Sequence, residues 1–570
     1  MGNVINTISD SCTERTANLC LKKKNQPIPE DEDDNDQNIS FLTKSENCPT
    51  YPENIIDMKV KTSNLIMKRN QSPWENYKEI CDLGAGTFGI VKKVLLNTTR
   101  VLRAMKVIPK SNILEGIDNS TVISEINILR KLDHPNIMKI FEFYEDDENF
   151  YLISEYCDQG DLLGKMNKLH FMSEVVVKFL MSQILNAVAY LHSKKVLHGD
   201  IKMENILLYS SYDKKKKRFT VLTLDTINGA LSKEINESFR RRNFSEKTKK
   251  YIDNITNYEV KLIDFGCSKI FNKRHLSGII GTSIYCSPEV VEDNYDEKSD
   301  EWSCGVLMYL LLTGMPPFDG ETEDEIFAKI KKGKFDMNVT ELKKVSRNCR
   351  DLITKLLAYY PKDRISASEA LKHPFFTESF NPENALTANK DLSILSELVE
   401  IKPIGKFKET VLAYLALNFT DKDEEKKIRE VFRYIDKNSD NEISWHELYS
   451  CLDESGYHLS KEEMDKLFNT LDSDQNGFIE YQEFLRAACD KNKLLSDDNL
   501  KLAFELFDRE KNGSVKWDDI NNVIFHGKLM GDEVVNEYLT EVGISKDQGM
   551  DFKIFSELMK SLIPKNNKKN

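Results

Sequence analysis

The chain has 570 residues, of which 40% are hydrophobic and 30% are charged, a globular rather than a fibrous composition. At about 100–200 residues per domain, roughly three folded units are expected. The formal net charge of −13 disfavours binding to nucleic acid or any other polyanion. Residues 421–570 contain 33 acidic and 22 basic side chains, and this excess predicts a C-terminal region that binds cations.

Cysteine usage and hydropathy predict a cytoplasmic protein. The 11 cysteines are odd in number and never spaced as CxxC, which disfavours a disulfide framework or a zinc site and favours a reducing compartment. No cleavable signal sequence is visible in residues 1–20. The longest apolar run, Cys304–Met315, is shorter than the roughly 20 residues that cross a bilayer, so we expect a soluble chain.

Residues 1–70 are predicted to be disordered, because they are polar, carry an acidic run and show no sustained periodicity. Gly2 opens a sequence similar to an N-myristoylation signal, although Asn6 stands where that signal has Ser or Thr. Cys12 and Cys20, next to three lysines, could supply a second acyl anchor. Peripheral attachment to the cytoplasmic face of a membrane is one hypothesis, and an unmodified disordered start is the other.

Six motifs follow in order between residues 77 and 376, where short β-branched runs alternate with helical stretches. They are the glycine-rich Leu83-Gly84-Ala85-Gly86-Thr87-Phe88-Gly89-Ile90-Val91, Ala104-Met105-Lys106, Glu125, His198-Gly199-Asp200-Ile201-Lys202-Met203-Glu204-Asn205, Asp264-Phe265-Gly266 and Ser287-Pro288-Glu289. A glycine-rich turn alone also opens dinucleotide-binding folds. The complete ordered set resembles the eukaryotic protein-kinase domain over about 300 residues.

The resemblance implies transfer of the γ-phosphate of ATP, a reaction that needs charge neutralisation and in-line positioning more than covalent help. Lys106 would hold the α- and β-phosphates and be oriented by Glu125. Asn205 and Asp264 would ligate Mg²⁺. Asp200 would accept the proton of the substrate hydroxyl.

The spacing Asp200-x-Lys202 resembles serine/threonine rather than tyrosine kinases. Lys202 would offset charge on the transferred group, and Thr282 could bond both Asp200 and Lys202. Asp161 and Glu204 match positions that, in relatives, contact a basic residue upstream of the phosphorylated Ser or Thr.

The nucleotide site is predicted from the same alignment with the family. Its expected residues are Leu83, Gly84, Ala85, Gly86, Thr87, Phe88, Gly89, Val91, Ala104, Lys106, Ser154, Glu155 and Cys157. Ser154 falls at the position that gates the pocket behind the adenine, and its small side chain would leave room there.

Two departures from the family pattern stand out. Gly199 replaces the arginine that the family uses to pair with a phosphate on the activation segment, so phosphorylation of that segment is not expected to be the main switch. The same change is compatible with a catalytically dead scaffold. Residues 211–259 form an insertion with two basic clusters, read either as a surface loop or as a docking or phosphoregulatory element.

Acidic loops recur about every 36 residues after position 421. A calcium loop needs oxygen ligands at positions 1, 3, 5, 7, 9 and 12, with a sharp bend at position 6. The predicted ligands are Asp436, Asn438, Asp440, Glu442, Ser444 and Glu447 in the first loop, then Asp472, Asp474, Asn476, Phe478, Glu480 and Glu483 in the second. Only Asn441, in place of glycine at the bend, departs from the rule, and Asn tolerates a left-handed conformation.

The third and fourth loops are poorer. The third offers Asp508, Glu510, Asn512, Ser514 and Asp519, but Lys516 stands at position 9 and the Asp at position 12 is short. We therefore expect weak or magnesium-tolerant binding there. The fourth, Gly543–Ile554, has no acid at position 1 or 12 and is predicted to be a pair-mate that binds no ion.

Two amphipathic helices are predicted between the kinase domain and the loops. Leu392, Leu395 and Leu398 share one face, and Phe407–Phe419 has the spacing of a helix that docks in a groove. The whole order resembles the calcium-dependent protein kinases of plants and apicomplexan parasites. The implied fold is an α+β bilobal protein-kinase fold followed by an all-α EF-hand domain similar to calmodulin, with residues 377–421 as autoinhibitory junction and 422–564 as four EF-hands in two lobes.

The resemblance implies a two-state switch. At low calcium the junction would cover the substrate site or pin the lobes, and calcium would expose a groove that prefers the junction helix. Moving the kinase from 1% to 99% active would need about 5.5 kcal/mol of differential affinity. Two alternatives remain: a calcium-responsive pseudokinase scaffold, or a constitutively active kinase with structural EF-hands.

Overall fold

The computed structural model describes residues 68–69, 72–86, 89–111, 125–210, 258–271, 276–278, 280–377, 393–438, 440–508, 511–524, 532–545 and 548–563. Gly2, Cys12 and Cys20, together with the disorder expected for residues 1–70, fall almost entirely outside these ranges. Most of the predicted insertion, Leu392, Thr87, Phe88 and Glu510 also lie outside them.

A six-stranded sheet in the order β1-β5-β6-β4-β3-β2 forms the first lobe. Its strands are β1 (Lys68–Arg69), β2 (Tyr77–Gly86), β3 (Gly89–Leu96), β4 (Leu102–Pro109), β5 (Ile140–Glu145) and β6 (Asn149–Glu155). All neighbours are antiparallel except β1 and β5. Val94, Met105 and Ile153 pack with three tyrosines on one face of the sheet, the apolar side expected of strands that alternate between core and solvent.

Helices form the second lobe. They are α2 (Leu162–Leu169), α3 (Glu174–Ser193), α4 (Pro288–Val291), α5 (Lys298–Thr313), α6 (Glu323–Lys332), α7 (Arg347–Leu356), α8 (Ala367–Leu371) and α9 (Pro374–Thr377). Helix α1 (125–129) is separate from this set and lies between β4 and β5 in the chain. Short 3₁₀ turns lie at Pro73–Glu75, Met203–Asn205, Ser283–Tyr285, Leu342–Lys344 and Pro361–Asp363. Helices α3 and α5 lie at the centre of this lobe, and their many buried side chains form much of its hydrophobic core.

Helix α3 corrects the expectation that no apolar run approaches membrane-spanning length. Within the described residues it is the one helix long and apolar enough to cross a membrane by length and composition. Of its most apolar window, 61% is buried inside the structure. The isolated polar residues Ser182, Gln183 and Asn186 interrupt its apolar runs, which is why the sequence analysis passed over it.

Two short antiparallel pairs frame the segment between α3 and α4. Strand β7 (Val196–Leu197) pairs with β10 (Lys269–Ile270), and β8 (Ile206–Ser210) pairs with β9 (Tyr258–Leu262). The predicted insertion is shorter at its C-terminal end than expected, because Glu259 is opposite Tyr209 in the β8–β9 ladder. The hairpin places residues 198–205 and 264–266 at the same edge of the lobe.

The C-terminal part is helical. Its helices are α10 (Ser393–Val399), α11 (Lys406–Phe419), α12 (Lys422–Ile435), α13 (Trp445–Glu454), α14 (Lys461–Leu471), α15 (Tyr481–Ala488), α16 (Lys491–Leu494), α17 (Asp497–Phe507), α18 (Trp517–Ile524), α19 (Asp532–Val542) and α20 (Phe552–Lys560). Strand β11 (Glu442–Ile443) pairs with β12 (Ile479–Glu480). An isolated bridge joins Val515 to Met550. The first pairing joins position 8 of the first loop to position 8 of the second, and the bridge does the same for the third and fourth loops. Paired EF-hands are expected to be joined in this way.

A buried ion pair ties α4 to the end of the second lobe. The guanidinium of Arg364 contacts both carboxylate oxygens of Glu289, at 2.5 and 3.1 Å, and also donates to the carbonyls of Ala358, Lys298 and Tyr359. The Arg364 side chain is completely buried. Removing one partner of such a pair leaves the other charge desolvated and uncompensated.

We expect Glu289→Ala to destabilise the kinase lobes by about 3–5 kcal/mol. Calorimetry should show an earlier kinase unfolding transition, and this measurement suits a chain with more than one domain. Lys329→Ala is the matched control: it breaks the exposed Lys329–Asp319 pair and should cost less than about 1 kcal/mol. Equal shifts for the two variants would contradict the role given to the buried pair.

Candidate active site and calcium loops

Lys106 is fixed by the ion pair that the sequence predicts. It lies on β4, and its Nζ is 3.1 Å from a carboxylate oxygen of Glu125 on α1. Burial alone would lower the pKa of Lys106, but the carboxylates of Glu125 and Asp264 outweigh burial and raise it. The side chain is therefore a permanent cation facing the carboxylate of Asp264, suited to hold a polyphosphate between the lobes.

The side chains predicted to act on the transferred group meet at one point. Lys202 Nζ lies 2.8 Å from the Asp200 carboxylate and donates to Thr282 Oγ1 at 2.9 Å. Thr282 Oγ1 donates to Asp200 at 3.1 Å, and Asn205 Nδ2 donates to the other Asp200 oxygen at 2.9 Å. Burial opposes the charge of Lys202, but Asp200 outweighs this effect and raises the pKa of the lysine. Asp200 is thus held in one orientation, as a general base must be.

Asp300 on α5 fixes the start of the loop at residues 198–205, a role that no sequence motif indicated. Its carboxylate accepts the backbone N–H groups of His198 and Gly199, both at 2.9 Å. His192 lies 3.0 Å from the same carboxylate. Burial opposes protonation of His192, but Glu301 and Asp300 outweigh it and raise the pKa of the imidazole to about 10. The loop therefore rests on a buried ionic cluster of the second lobe.

Gly199 adopts a left-handed backbone conformation with φ of 80°. A Cβ atom there would lie 2.6 Å from Ile280 Cδ1 and 2.9 Å from the Cys267 carbonyl oxygen. The apolar side chain of Ile280 thus occupies the space beside the residue where the family has arginine. The loop is therefore held by Asp300 and by packing.

The expected nucleotide pocket lies between the sheet and this loop. The residues Leu83, Gly84, Gly89 and Val91 belong to the β2–β3 hairpin, and Ala104 is opposite Ser154 in the β4–β6 ladder. For Ala85 and Gly86 only the backbone, at the end of β2, is described. Cys157 follows β6 and is half-buried, and none of the eight cysteines in the described ranges forms a disulfide.

Glu155 is the end residue of β6, and Lys261 contacts its carboxylate at 2.9 Å. Burial alone would raise the pKa of Glu155, but the ammonium of Lys261 outweighs burial and lowers it. This pair joins β6 to β9. Asp264 follows β9 in the chain. Sequence reasoning placed Glu155 in the pocket but gave no sign of its partner.

Glu204 and Asp161, the two acidic residues expected to contact a basic substrate side chain, lie close enough to interact electrostatically. Asp161 caps α2 by accepting the backbone N–H of Gly164 at 2.6 Å. Burial raises the pKa of Glu204. Its Oε2 atom is buried and accepts no hydrogen bond from the described residues. A carboxylate in this state gains from an incoming cationic side chain.

In the first two loops the glutamate at position 12 reaches across the loop. Glu447 accepts the N–H of Asn438 at 3.2 Å and that of Ser444 at 3.0 Å. Glu483 accepts the N–H of Ser473 at 2.7 Å and that of Glu480 at 3.0 Å. Both carboxylates therefore point into their loops, as bidentate ligands of a central ion would.

The second loop has the tightest carboxylate cluster. One oxygen from each of Asp472, Asp474 and Glu483 lies within 4.8 Å of the others. Burial, reinforced by Asp474, raises the pKa of Glu483 to about 8. A divalent cation would relieve this repulsion, and hard oxygen ligands at such distances suit calcium.

The described part of the third loop has backbone bonds like those of the second loop. Asp508 accepts the N–H groups of Asn512 and Gly513, which gives the loop its usual entry. Asp519 accepts the N–H of Lys516 at 2.8 Å, the bond that Glu447 makes to Ser444 and Glu483 makes to Glu480. Ser514 is half-buried beside these residues. The fourth loop contributes the backbone bridge at Met550.

The junction helix α11 is enclosed by EF-hand helices. Phe407, Val411 and Leu415 are completely buried, and the ring of Phe407 packs on those of Phe507 and Phe555. Leu395 and Leu398 of α10 are buried in the same core. Phe419, predicted to share the docking face, is only partly buried at the end of the helix.

Both ends of α11 are capped by side chains from distant parts of the chain. Glu541 on α19 accepts the N–H groups of Phe407 and Lys408, each at 2.9 Å. Arg103 on β4 donates to the carbonyl of Asn418 at 3.0 Å. An acid at the N-terminus and a cation at the C-terminus of a helix satisfy groups that the helix itself leaves unpaired. Sequence periodicity shows the apolar face but not these caps.

The EF-hand helices also contact the kinase lobes directly. Arg433 donates to the Asn136 side chain at 3.0 Å, and Arg429 forms an ion pair with Glu259. The N–H of Gln482 donates to Asp133 at 2.8 Å. Nothing in the sequence alone indicated where these domains meet.

Comparison with known families accounts for most of the chain. Residues 77–376 match the family model described as protein kinase domain. Residues 425–489 and 483–527 match two models that are each described as an EF-hand domain pair.

Three curated relatives are similar over about two thirds of the chain. Calcium-dependent protein kinase 5 of Plasmodium falciparum (isolate 3D7) is 34% identical over 373 residues, 65% of this chain and 57% of that protein. Calcium-dependent protein kinase 4 of Plasmodium berghei (strain Anka) is 32% identical over 393 residues, 69% of this chain and 65% of the relative. Calcium-dependent protein kinase 3 of Plasmodium yoelii yoelii is 33% identical over 379 residues, 66% of this chain and 62% of that protein.

The chain thus spans less than two thirds of the length of these relatives. The kinase match nevertheless covers more than half of the chain, and the EF-hand matches follow it in the order the sequence analysis expected. The chain therefore belongs to the protein kinase family, with the kinase and EF-hand composition of the calcium-dependent protein kinases.

Proposed function

We propose that the chain is a calcium-activated serine/threonine protein kinase that transfers the γ-phosphate of ATP to protein hydroxyl groups. The observation that carries the proposal is the burial of helix α11 in an EF-hand core whose calcium loops also contact the kinase lobes. With its apolar face buried there, the helix cannot present the same face to the substrate cleft.

The catalytic part of the proposal follows from the residues around Asp200. This carboxylate would take the proton of the attacking hydroxyl while Lys202 and Thr282 hold it in place. Lys106 would bind the phosphates of ATP. Mg²⁺, which Asn205 and Asp264 are suited to hold, would neutralise phosphate charge.

Regulation and substrate choice complete the proposal. At low calcium the junction, residues 377–421, would return to the kinase lobes and block the substrate site. The buried carboxylate oxygen of Glu204, with Asp161 nearby in the family's arrangement, supports a preference for substrates with Arg or Lys upstream of the target. A cytoplasmic location is part of the same proposal.

The direct test is phosphate transfer from ATP-Mg²⁺ to a serine peptide with an upstream arginine, titrated with free calcium. We expect activity to rise steeply at calcium concentrations of about 10⁻⁷–10⁻⁵ M, the range of sensor EF-hands. Asp200→Asn should reduce transfer by a factor of at least about 10² at every calcium concentration because it removes the general base. A peptide with alanine in place of the arginine should be a poorer substrate.

The two alternatives give different results in that experiment. ATP binding without transfer at any calcium concentration would contradict the proposal and favour a pseudokinase scaffold. Transfer that is real but independent of calcium would leave a constitutively active kinase with structural EF-hands.

The double substitution Glu447→Gln, Glu483→Gln isolates the sensor. Each change keeps the size of the side chain but removes the charge of the position-12 ligand, so calcium affinity should fall strongly at both loops. We expect basal activity to remain while calcium stimulation is lost. The matched control is Asp519→Asn in the third loop, which should shift the activation midpoint only slightly. Full calcium stimulation in the double variant would contradict the sensor role of these loops.

A further inference from the structure

The first calcium loop has an asparagine where the second and third loops have glycine. Asn441 adopts the left-handed conformation, with φ of 65°, and so do the equivalent Gly477 and Gly513, with φ of 90° and 76°. Glycine adopts this conformation freely and asparagine less so. The loop bend therefore does not require the asparagine side chain, although that side chain is almost entirely buried.

The side chain of Asn441 leaves its loop and enters the kinase lobes. Its Nδ2 donates to Asn186 Oδ1 at 2.7 Å, and its Oδ1 lies 3.0 Å from His134 Nε2. Nδ1 of His134 accepts the N–H of Asn136 at 3.0 Å. The imidazole is therefore neutral, with its proton on Nε2, and it donates to Asn441.

This arrangement satisfies every polar atom of the asparagine side chain that faces the kinase. Asn186 lies on α3, the central helix of the second lobe, and His134 lies in the turn between α1 and β5. His134 is buried and stacks on Tyr190 of the same helix, with ring centroids 5.1 Å apart. A buried hydrogen-bonded pair of this kind specifies one docking position, because any displacement would leave desolvated polar groups unpaired.

The backbone of the same residue holds a calcium ligand. The N–H of Asn441 donates to Asp436 Oδ2, the position 1 carboxylate, at 2.9 Å. The following residue, Glu442, forms an ion pair with Lys194 at the end of α3, at 2.8 Å, and Glu480 of the second loop contacts the same ammonium at 3.0 Å. One residue thus connects the ligand set of the first loop to the kinase surface within a single peptide unit.

We propose that Asn441 is a positioning residue that couples occupancy of the first calcium loop to docking of the EF-hands on the kinase lobes. The proposal rests on the calcium-activated function given above. Ligand binding to Asp436 and docking through Asn441 share one peptide unit, so each stabilises the geometry that the other needs. Coupling of this kind is reciprocal: docking must raise the calcium affinity of the loop by the same factor as calcium favours docking.

The substitution Asn441→Gly in the full chain distinguishes the coupling role of Asn441 from its effect on the calcium affinity of the loop itself. Glycine is the ordinary residue at this bend and relieves any cost of the left-handed backbone, so a loop acting alone would bind calcium at least as well. Coupling predicts the opposite: the calcium midpoint for phosphate transfer should rise by about fivefold or more. Calcium titration calorimetry on the full chain should show the same weakening at one site.

A substitution in the kinase lobes completes a double-mutant cycle with Asn441→Gly. Asn186→Ala removes the acceptor of the Asn441 amide without touching the EF-hands, and it should raise the calcium midpoint in the same direction. The double variant should be no worse than the worse single variant, since both remove one interaction. Gly477→Asn is the matched control: a Cβ there meets nothing within 4 Å, so the asparagine side chain starts in open space, and we expect no change like that of Asn441→Gly.

Each outcome decides between the claims. An unchanged or lower midpoint in Asn441→Gly, with calcium stimulation intact in the unsubstituted chain, would overturn the coupling role alone. Additive effects of Asn441→Gly and Asn186→Ala would also overturn it. No calcium response in the unsubstituted chain would instead overturn the proposed function on which the inference rests.

Discussion

The organisation of this chain depends on the apolar face of one helix. Phe407, Val411 and Leu415 form an apolar strip whose exposure to water is unfavourable, so another apolar surface must bury it. In the structure that partner is the EF-hand core, and Glu541 and Arg103 satisfy the two ends of the helix. A switch built on this strip needs only two competing surfaces and a ligand that changes their relative affinity.

The kinase lobes are arranged for catalysis in the same structure. Lys106 is paired with Glu125, and the carboxylate of Asp200 is fixed by hydrogen bonds from Thr282 and Asn205 and by the ammonium of Lys202. The backbone of Gly199 is held by Asp300, and a Cβ atom there would meet Ile280, so contacts within the second lobe fix this part of the loop. Arg103 of the first lobe contacts the junction helix, and Asp133 and Asn186 contact residues of the calcium loops.

Residue patterns were sufficient for the elements whose chemistry is local. The kinase motifs were predicted from their resemblance to a family, the loop ligands from loop spacing and the apolar face of α11 from periodicity. The protein kinase and EF-hand matches confirm the family and the fold class. The partners of Glu155, Asn441 and Asn418 could not be predicted. Each contact joins residues separated by more than 100 positions, and no periodicity records which surface an isolated polar side chain will meet.

The most direct measurement is hydrogen–deuterium exchange of the full chain with and without calcium, followed at residues 406–419. The account predicts slow exchange of these amides with calcium and faster or redistributed exchange after chelation, accompanied by a change at residues 133–136, where the EF-hands dock. Burial of the helix in the EF-hand core would then depend on calcium. Identical exchange of both segments in the two conditions would contradict the account, because the helix would have only one partner.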